Sequence, residues 1–210
     1  LIGTHIAKCA GIRDRGFNFP DPEDDLRRLS RRSFAVLDEK AAAQMRGAIE
    51  RAAAEGDSVG GLIGCTVSGL PAGLGEPMFG GMESKIAQIV YGIPAIKGLN
   101  FGTGFAGAYM RGSENNDQYY IENGKVLTKR NYAGGILGGI TNGMPLVFEV
   151  AVKPTPSIGM AQKTVSLSRM KETELAVKGR HDPCIVPRAV PVIEAAAAIA
   201  IYDAILLNAK

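Results

Sequence analysis

The sequence contains few of the residues that build metal centres and disulfide frameworks. Three cysteines (Cys9, Cys65 and Cys184) and two histidines occur in 210 residues. The cysteines are odd in number and far apart, which disfavours a disulfide framework and indicates a reducing compartment, the cytoplasm. No Cys-x-x-Cys pair occurs, so a structural zinc site has too few ligands. Cys184 has no second cysteine or base nearby in the sequence, which favours packing over a nucleophilic role.

The chain also lacks a long run of one charge and an apolar run of membrane length. The net charge is +3, and the most basic stretch, residues 27–32, follows the acidic residues 21–25. We interpret this stretch as a solvated face rather than a nucleic-acid-binding patch. The apolar residues 192–201 are too few to span a membrane, which needs about 20, and Glu194 and Asp203 interrupt the segment. We therefore expect neither nucleic acid nor a membrane as a partner.

The length fits one large domain or two small ones. Because no repeat and no low-complexity segment occurs, we treat residues 1–210 as a single core domain. The chain starts at Leu1, without a methionine or a targeting segment, and we expect it to be part of a longer protein.

Local patterns predict a mixture of strands, hairpins and helices. Helices are expected after the N-cap residue Asp38, where apolar residues recur at helical spacing up to Gly56, and at residues 83–92. Asn123-Gly124 predicts a tight hairpin. Strands are predicted at residues 2–9, 59–69, 94–104 and 146–152, the last because apolar and polar residues alternate. Since strands and helices do not alternate strictly, the pattern indicates an α+β fold with mainly antiparallel sheet.

The C-terminal part combines a reactive turn with an apolar helix. Arg180, His181, Asp182, Cys184 and Arg188 crowd one proline-rich segment. A helix at residues 190–207 follows, with Pro191 in its first turn, and its apolar character on nearly every side predicts burial all round. The turn would thus be mounted on a rigid core helix.

Two further segments each allow two interpretations. The sequence Lys153-Pro154-Thr155-Pro156-Ser157 places an ammonium and two hydroxyls at the end of a strand, which suits a phosphate or the polar edge of a planar ligand; it is equally well explained as a rigid strand exit. Five glycines in residues 133–143 indicate either a closely approached backbone or tight turns between strands.

Residues 102–107 match the pattern G-x-G-x-x-G, but the following residues favour strand and turn over the helix that a dinucleotide-binding fingerprint needs. A nucleotide-binding module is therefore a minor alternative. No P-loop sequence occurs.

Four motifs in order, residues 71–77, 133–143, 153–158 and 178–195, together resemble the chorismate synthase family. Members of this family are longer, and the chain is similar to their larger C-terminal part. The segment with the family's Gly-Glu-Ser-His-Gly signature, its catalytic histidines and its substrate-gripping arginines is not in this sequence, and His5 does not replace it.

The resemblance implies a β-α-β sandwich, with helices layered between two antiparallel sheets, assembled as a homotetramer. It also implies 1,4-elimination of phosphate from 5-enolpyruvylshikimate 3-phosphate, giving chorismate in the shikimate pathway, with reduced FMN required. The family is associated with NADP as well, and whether the enzyme reduces its own flavin stays open.

Carried over residue by residue, the resemblance makes Asp182 the catalytic partner of flavin N5 and brings Arg180 to flavin and substrate. The other implied flavin contacts are Ala95, Gly138, Lys153, Pro154, Thr155, Pro156 and Ser157. The alternative is that residues 1–210 are a catalytically inactive flavin-binding or assembly core.

Overall fold

The computed structural model describes residues 1–208, and its largest element is a five-stranded antiparallel sheet. The strand order is β2-β1-β3-β9-β4, so neighbours in space come from distant parts of the chain. These strands are β1 (Ile2–Cys9), β2 (Ile12–Arg13), β3 (Gly61–Val67), β4 (Ile96–Phe101) and β9 (Leu146–Val152).

The alternation that predicted β9 also decides which face of the sheet is buried. Leu146, Phe148, Val150 and Val152 are buried, whereas the residues between them are half-buried. In an antiparallel sheet successive side chains point to opposite faces, so these four project into the core. β9 pairs with β3 from Gly61 opposite Val152 to Val67 opposite Leu146, without a bulge. The predicted strands are confirmed.

Three two-stranded hairpins complete the β-structure. The Asn123-Gly124 turn joins β5 (Tyr119–Glu122) to β6 (Lys125–Thr128), as predicted, with both turn residues at positive φ. The glycine-rich segment forms β7 (Ile136–Leu137) and β8 (Ile140–Thr141), joined by a tight turn. Its backbone is also closely approached, since a Cβ on Gly139 would lie 2.4 Å from the Glu76 carbonyl oxygen, so both interpretations are confirmed. β10 (Gln162–Ser166) and β11 (Lys171–Leu175) were not predicted, because nearly all their residues are exposed and no apolar alternation marks them.

Helices pack on both faces of the sheet: the Thr4 side chain of β1 meets the C-terminal helix, whereas a Cβ on the neighbouring Gly3 would meet Leu26 of the helix at residues 23–29. The helices are α1 (Glu23–Leu29), α2 (Glu39–Ala54), α3 (Met82–Val90), α4 (Gly112–Asn115) and α5 (Val186–Asn208), with 3₁₀ turns at Met78–Gly80 and Gly104–Tyr109. α2 begins as predicted, since the Asp38 side chain accepts a hydrogen bond from the Ala41 N–H at 2.7 Å. The α+β class and the antiparallel sheet are confirmed. Within residues 1–208 the five-stranded sheet is the only one with more than two strands.

The C-terminal helix differs from its prediction in two ways. α5 begins at Val186, and Pro191 lies inside it, so Pro187 rather than Pro191 occupies the first turn. The expectation of burial all round is also wrong: Val186, Ile193 and Ala200 are buried, but Ile199 and Tyr202 are about 60% exposed. α5 packs against β1, β3 and α3, and its opposite face has no cover within the described residues.

The length of α5 corrects one argument made from the sequence. With 23 residues, it is long and apolar enough to cross a membrane by length and composition alone, so the reasoning that the segment is too short was wrong. Its acidic residues have partners in the fold: Glu194 accepts a hydrogen bond from the Thr4 hydroxyl at 3.0 Å, and Asp203 lies 3.7 Å from the Lys85 ammonium. Core packing therefore accounts for the apolar composition of its inner face.

The G-x-G-x-x-G segment is not a dinucleotide-binding turn. β4 belongs to an antiparallel sheet and is followed by a 3₁₀ turn rather than an α-helix. Gly102 has φ +54°, and a Cβ there would lie 1.9 Å from the Tyr132 carbonyl oxygen. The glycine is required by contact between two parts of the backbone, which ends the nucleotide-binding alternative.

Candidate functional site

Six of the predicted flavin contacts, Ala95 and residues 153–157, lie where β9 ends and β4 begins. The Lys153 N–H donates a hydrogen bond to the Ala95 carbonyl at 3.0 Å, which joins two of these residues directly. Ala95 has φ +73°, a left-handed conformation that residues other than glycine rarely adopt. Such strain persists only where the surroundings impose it, and it concentrates at functional sites.

Thr155 supplies an unpaired polar atom at this place. Its hydroxyl oxygen is buried and has no hydrogen-bond partner within residues 1–208, while its carbonyl accepts a bond from the Ser58 hydroxyl at 2.7 Å. Lys153 is half-buried and forms no ion pair in the same range. A buried polar group without a partner costs about 1–3 kcal/mol, so the site suits a ligand with polar oxygens, such as a phosphate or the edge of a flavin.

Residues 58–60 connect this loop to the reactive turn. A Cβ on Gly60 would lie 2.5 Å from the Val152 carbonyl oxygen, so only glycine lets the segment approach the end of β9 this closely. On its other side, the Val59 N–H donates to the Pro183 carbonyl at 2.8 Å. The Lys153–Ser157 loop and the Arg180–Cys184 turn thus share one neighbour. Sequence reasoning missed this connection, because no motif marks residues 58–60.

Within the turn, the Asp182 side chain is held by Arg188. Its carboxylate accepts a hydrogen bond from Arg188 in the first turn of α5. Arg180 is exposed and has no ion-pair partner among the described residues, which leaves its guanidinium available to a ligand. The His181 ring donates from Nε2 to the Val177 carbonyl at 2.8 Å and so stabilises the turn. Sequence analysis placed Arg188 in this cluster but gave it no role.

Gly138 lies apart from the other predicted contacts. It occupies the β7–β8 turn, and Gly135 of the same hairpin packs against Leu146, at the end of β9 opposite to Val152. At about 3.3 Å per residue, the six steps from Leu146 to Val152 span roughly 20 Å. Within this chain, Gly138 is therefore not adjacent to Lys153, and its predicted contact with flavin stays a prediction.

Two cysteines that are 175 residues apart meet beside the turn. The sulfur atoms of Cys9, at the end of β1, and Cys184 lie 3.7 Å apart in the core. The expectation that Cys184 has no second cysteine nearby is wrong in space, though right in sequence. Only the pairing of β1 with β3, and of residues 59 and 183, brings the two together.

A second polar cluster lies on the sheet face opposite α5. His5 donates from Nδ1 to Asp14 at 2.8 Å, and Asp14 also accepts the backbone N–H groups of Arg15, Leu37 and Asp38. Burial works against ionisation, but the hydrogen bonds from His5, Leu37 and Asp38 outweigh it and hold the pKa of Asp14 below its usual range. These bonds fix the position of the His5 ring through its Nδ1.

His5 also borders a cavity of about 520 Å³ on this face. Phe17, Tyr132 and Arg130 line it, together with Thr66, whose buried hydroxyl has no partner within residues 1–208. The cavity contains none of the predicted flavin contacts. We take the end of β9 as the candidate flavin site, because the unpaired Thr155 hydroxyl, the strained Ala95 and the turn with Asp182 converge there.

Comparison with known proteins relates the whole chain to one family. The chorismate synthase family model matches residues 2–206. The curated chorismate synthase of Korarchaeum cryptofilum is 50% identical over 209 residues, which cover 100% of this chain and 57% of that protein. The enzyme of Dehalococcoides mccartyi is 48% identical over 203 residues, covering 97% of this chain and 55% of that protein.

A solved structure described as a crystal structure of chorismate synthase has the same fold. Its TM-score is 0.79 at 27% sequence identity, over 99% of this chain and 57% of the solved one. The chain thus spans a little over half the length of the relatives it matches. With a family model that matches nearly every residue and curated relatives that are 48–50% identical to it, the chain belongs to the chorismate synthase family.

Proposed function

We propose that the protein containing this chain forms chorismate from 5-enolpyruvylshikimate 3-phosphate by 1,4-elimination of phosphate, with reduced FMN bound at the end of β9. The observation that carries this proposal is the convergence of Thr155, with its unpaired buried hydroxyl, and strained Ala95 near the turn that holds Asp182. Membership of the family supplies the reaction.

The chain offers a specific set of groups to the cofactor. The Lys153 ammonium supplies a positive charge for a phosphate, and the hydroxyls of Thr155 and Ser157 supply directed hydrogen bonds. Pro154 and Pro156 keep this loop extended, because a proline fixes its own φ. When bound, reduced FMN supplies electron density while the phosphate group leaves.

In the turn at residues 180–184, Arg180 binds the substrate and Asp182 receives its ring proton. The elimination breaks the carbon–oxygen bond to phosphate, removes a ring proton and forms a carbon–carbon double bond. Asp182 is the carboxylate that receives this proton, and its bond to Arg188 fixes the orientation of its oxygens. Arg180, which has no partner within residues 1–208, provides a planar clamp for an anionic group.

This assignment is tested by Asp182→Asn in the intact protein, which keeps the shape of the side chain but removes the base. Chorismate formation should fall at least about 100-fold while FMN binding stays within about twofold. The exposed Glu174→Gln on β11 is the matched control for loss of a carboxylate, and it should leave both quantities unchanged. Full activity in Asp182→Asn would remove Asp182 from the mechanism.

A second candidate, a flavin-binding core without turnover, applies to residues 1–210 alone. Of the two histidines of the chain, His181 is bonded through Nε2 to the Val177 carbonyl, and His5 is paired with Asp14 on the face of the sheet opposite α5. We propose that this segment binds FMN without forming chorismate. Titration with FMN should show saturable binding that weakens in Arg180→Ala, and chorismate formation by the isolated segment would contradict the proposal.

We also propose a homotetramer for the intact protein. The uncovered apolar face of α5 supports burial by further protein, though it does not specify the number of subunits. Light scattering coupled to size-exclusion chromatography of the intact protein measures that number directly, and a monomer would contradict the proposal.

A further inference from the structure

The Cys9 and Cys184 thiols are close enough to become bonded to each other. Their sulfur atoms are 3.7 Å apart, compared with about 2.05 Å in a disulfide, so they need to approach by roughly 1.7 Å. Cys9 is the last residue of β1, and Cys184 lies just before α5 in a turn. A turn adjusts more easily than a sheet, so the movement falls mainly on Cys184.

The two thiols have different chemical environments. The Sγ of Cys184 lies 3.7 Å from the Sγ of Cys9, and Cys184 is two residues before the start of α5. The Cys9 thiol and the Val186 N–H lower the pKa of Cys184, although burial and the nearby Asp182 act in the opposite direction. A thiol at a helix N-terminus beside a second thiol is the usual setting of a reactive cysteine. Cys9 is completely buried, and its bond to Cys184 together with burial raises its pKa.

Cys65 provides a comparison within the same core. It is also completely buried, and burial raises its pKa well above the usual value. Within residues 1–208 it forms no hydrogen bond to another sulfur. Cys184 is also buried, at 7% exposure, but unlike Cys65 it has a second sulfur within hydrogen-bonding distance.

We propose that Cys184 and Cys9 are a redox-active thiol pair, which forms an intrachain disulfide with a small-molecule disulfide such as oxidised glutathione as the oxidant. The Cys184 thiolate attacks one sulfur of the oxidant and releases one glutathione thiolate, which takes up a proton. The Cys9 thiol then loses its proton and attacks the Cys184 sulfur, releasing the second glutathione. Two protein thiols are oxidised to one disulfide, and one glutathione disulfide is reduced to two thiols.

Bond formation would fasten the turn with Arg180 and Asp182 to the end of β1. This inference rests on the sulfur geometry and not on the proposed enzymatic activity, so either one can fail without the other. No cluster of three or more metal-ligating side chains occurs among the described residues, so a metal site of that kind does not account for the contact.

The experiment uses the intact, reduced protein under native conditions, with and without oxidised glutathione. After alkylation of remaining thiols and tryptic digestion without reductant, the peptide Cys9-Ala10-Gly11-Ile12-Arg13 should be found joined to the peptide from His181 to Arg188. The link should persist in Cys65→Ala. In Cys9→Ala it should be absent, and glutathione should remain attached to Cys184.

A second measurement uses the unaltered protein, so its result does not depend on whether the cysteine variants fold. Iodoacetamide should alkylate Cys184 at least about tenfold faster than Cys65 in the native state, since reactivity follows thiolate character and access. The proposal is overturned if Cys9 and Cys184 are linked only after unfolding, if glutathione stays on Cys184 while Cys9 remains free, or if Cys184 reacts no faster than Cys65.

Discussion

The Asp14 carboxylate and the Thr155 hydroxyl are two buried polar groups with opposite surroundings. Asp14 accepts four hydrogen bonds from the chain, whereas the Thr155 hydroxyl has no partner within residues 1–208. Folding satisfies nearly all buried polar groups, so a bonded group indicates a structural role and an unpaired one needs another explanation. The difference separates a group that stabilises the fold from one that is available to a ligand.

Removal of Asp14 should give the largest loss of stability. Asp14→Ala leaves the His5 ring N–H and three backbone N–H groups without their acceptor, and we expect the free energy of unfolding to fall by about 3–5 kcal/mol. Urea denaturation followed by circular dichroism measures it. Asp24→Ala, which removes an exposed carboxylate of α1, should change it by less than about 0.5 kcal/mol. Equal effects of the two substitutions would refute a structural role for the cluster.

The same carboxylate should make stability depend on pH. Because the pKa of Asp14 is lower in the folded protein than its usual value of 3.8, its contribution is complete above about pH 4 and is lost as the pH falls through the folded pKa. The difference in unfolding free energy between the unaltered protein and Asp14→Asn should therefore be constant from pH 7 to pH 5 and shrink below about pH 4. If this difference in unfolding free energy stays constant down to pH 3, Asp14 does not cause the pH dependence.

Two threonines provide a direct test of bonded and unbonded hydroxyls. The Thr141 hydroxyl accepts from the Leu74 N–H at 2.9 Å and donates to the Pro71 carbonyl at 2.7 Å. Thr141→Val should lower the free energy of unfolding by about 1–3 kcal/mol, because both partners lose their bond. Thr155→Val should leave it unchanged or raise it. Chemical denaturation of the two variants measures both changes in the free energy of unfolding. An equal loss in both variants would mean that the Thr155 hydroxyl is hydrogen-bonded in the folded protein.

FMN binding should distinguish these two variants in the opposite way: Thr155→Val should weaken it, although Thr141→Val causes the larger loss of stability. Thr155→Val should raise the dissociation constant for FMN about tenfold, as expected for loss of one hydrogen bond to a phosphate, and Thr141→Val should not change it. Thr66→Val, in the 520 Å³ cavity on the opposite face, is the second control. If Thr66→Val weakens binding and Thr155→Val does not, the cavity and not the end of β9 is the flavin site.

Elements with local causes were predictable from the sequence. The Asp38 cap, the Asn123-Gly124 turn and the alternation in β9 each depend on residues within one or two turns of the chain, and all three are confirmed. The start of α5 was placed too late, because Pro187 and Pro191 both suit a first helical turn and only the tertiary fold selects Pro187. β10 and β11 escaped prediction because no apolar pattern marks an exposed hairpin.

The candidate site was predictable only through family motifs. Nothing in the spacing of residues 95, 153 and 182 indicates that they lie near each other, and residues 58–60, which connect them, have no recognisable chemistry. The pair His5–Asp14 depends on the short β1–β2 hairpin, and the pair Cys9–Cys184 depends on contacts between segments 175 residues apart. Contacts of the latter kind follow from the tertiary fold, which local sequence does not specify.

The strand order has a consequence for how the chain is made. β3 takes its place between β1 and β9, and the pairing of Leu62 with Ala151 joins positions about 90 residues apart. At a synthesis rate of about 5–20 residues per second, β3 leaves the ribosome several seconds before its partner exists. During this interval one edge of β3, rich in apolar residues, is open to pairing with other chains. The chain is therefore prone to aggregation during synthesis, until β9 pairs with this edge in the folded sheet.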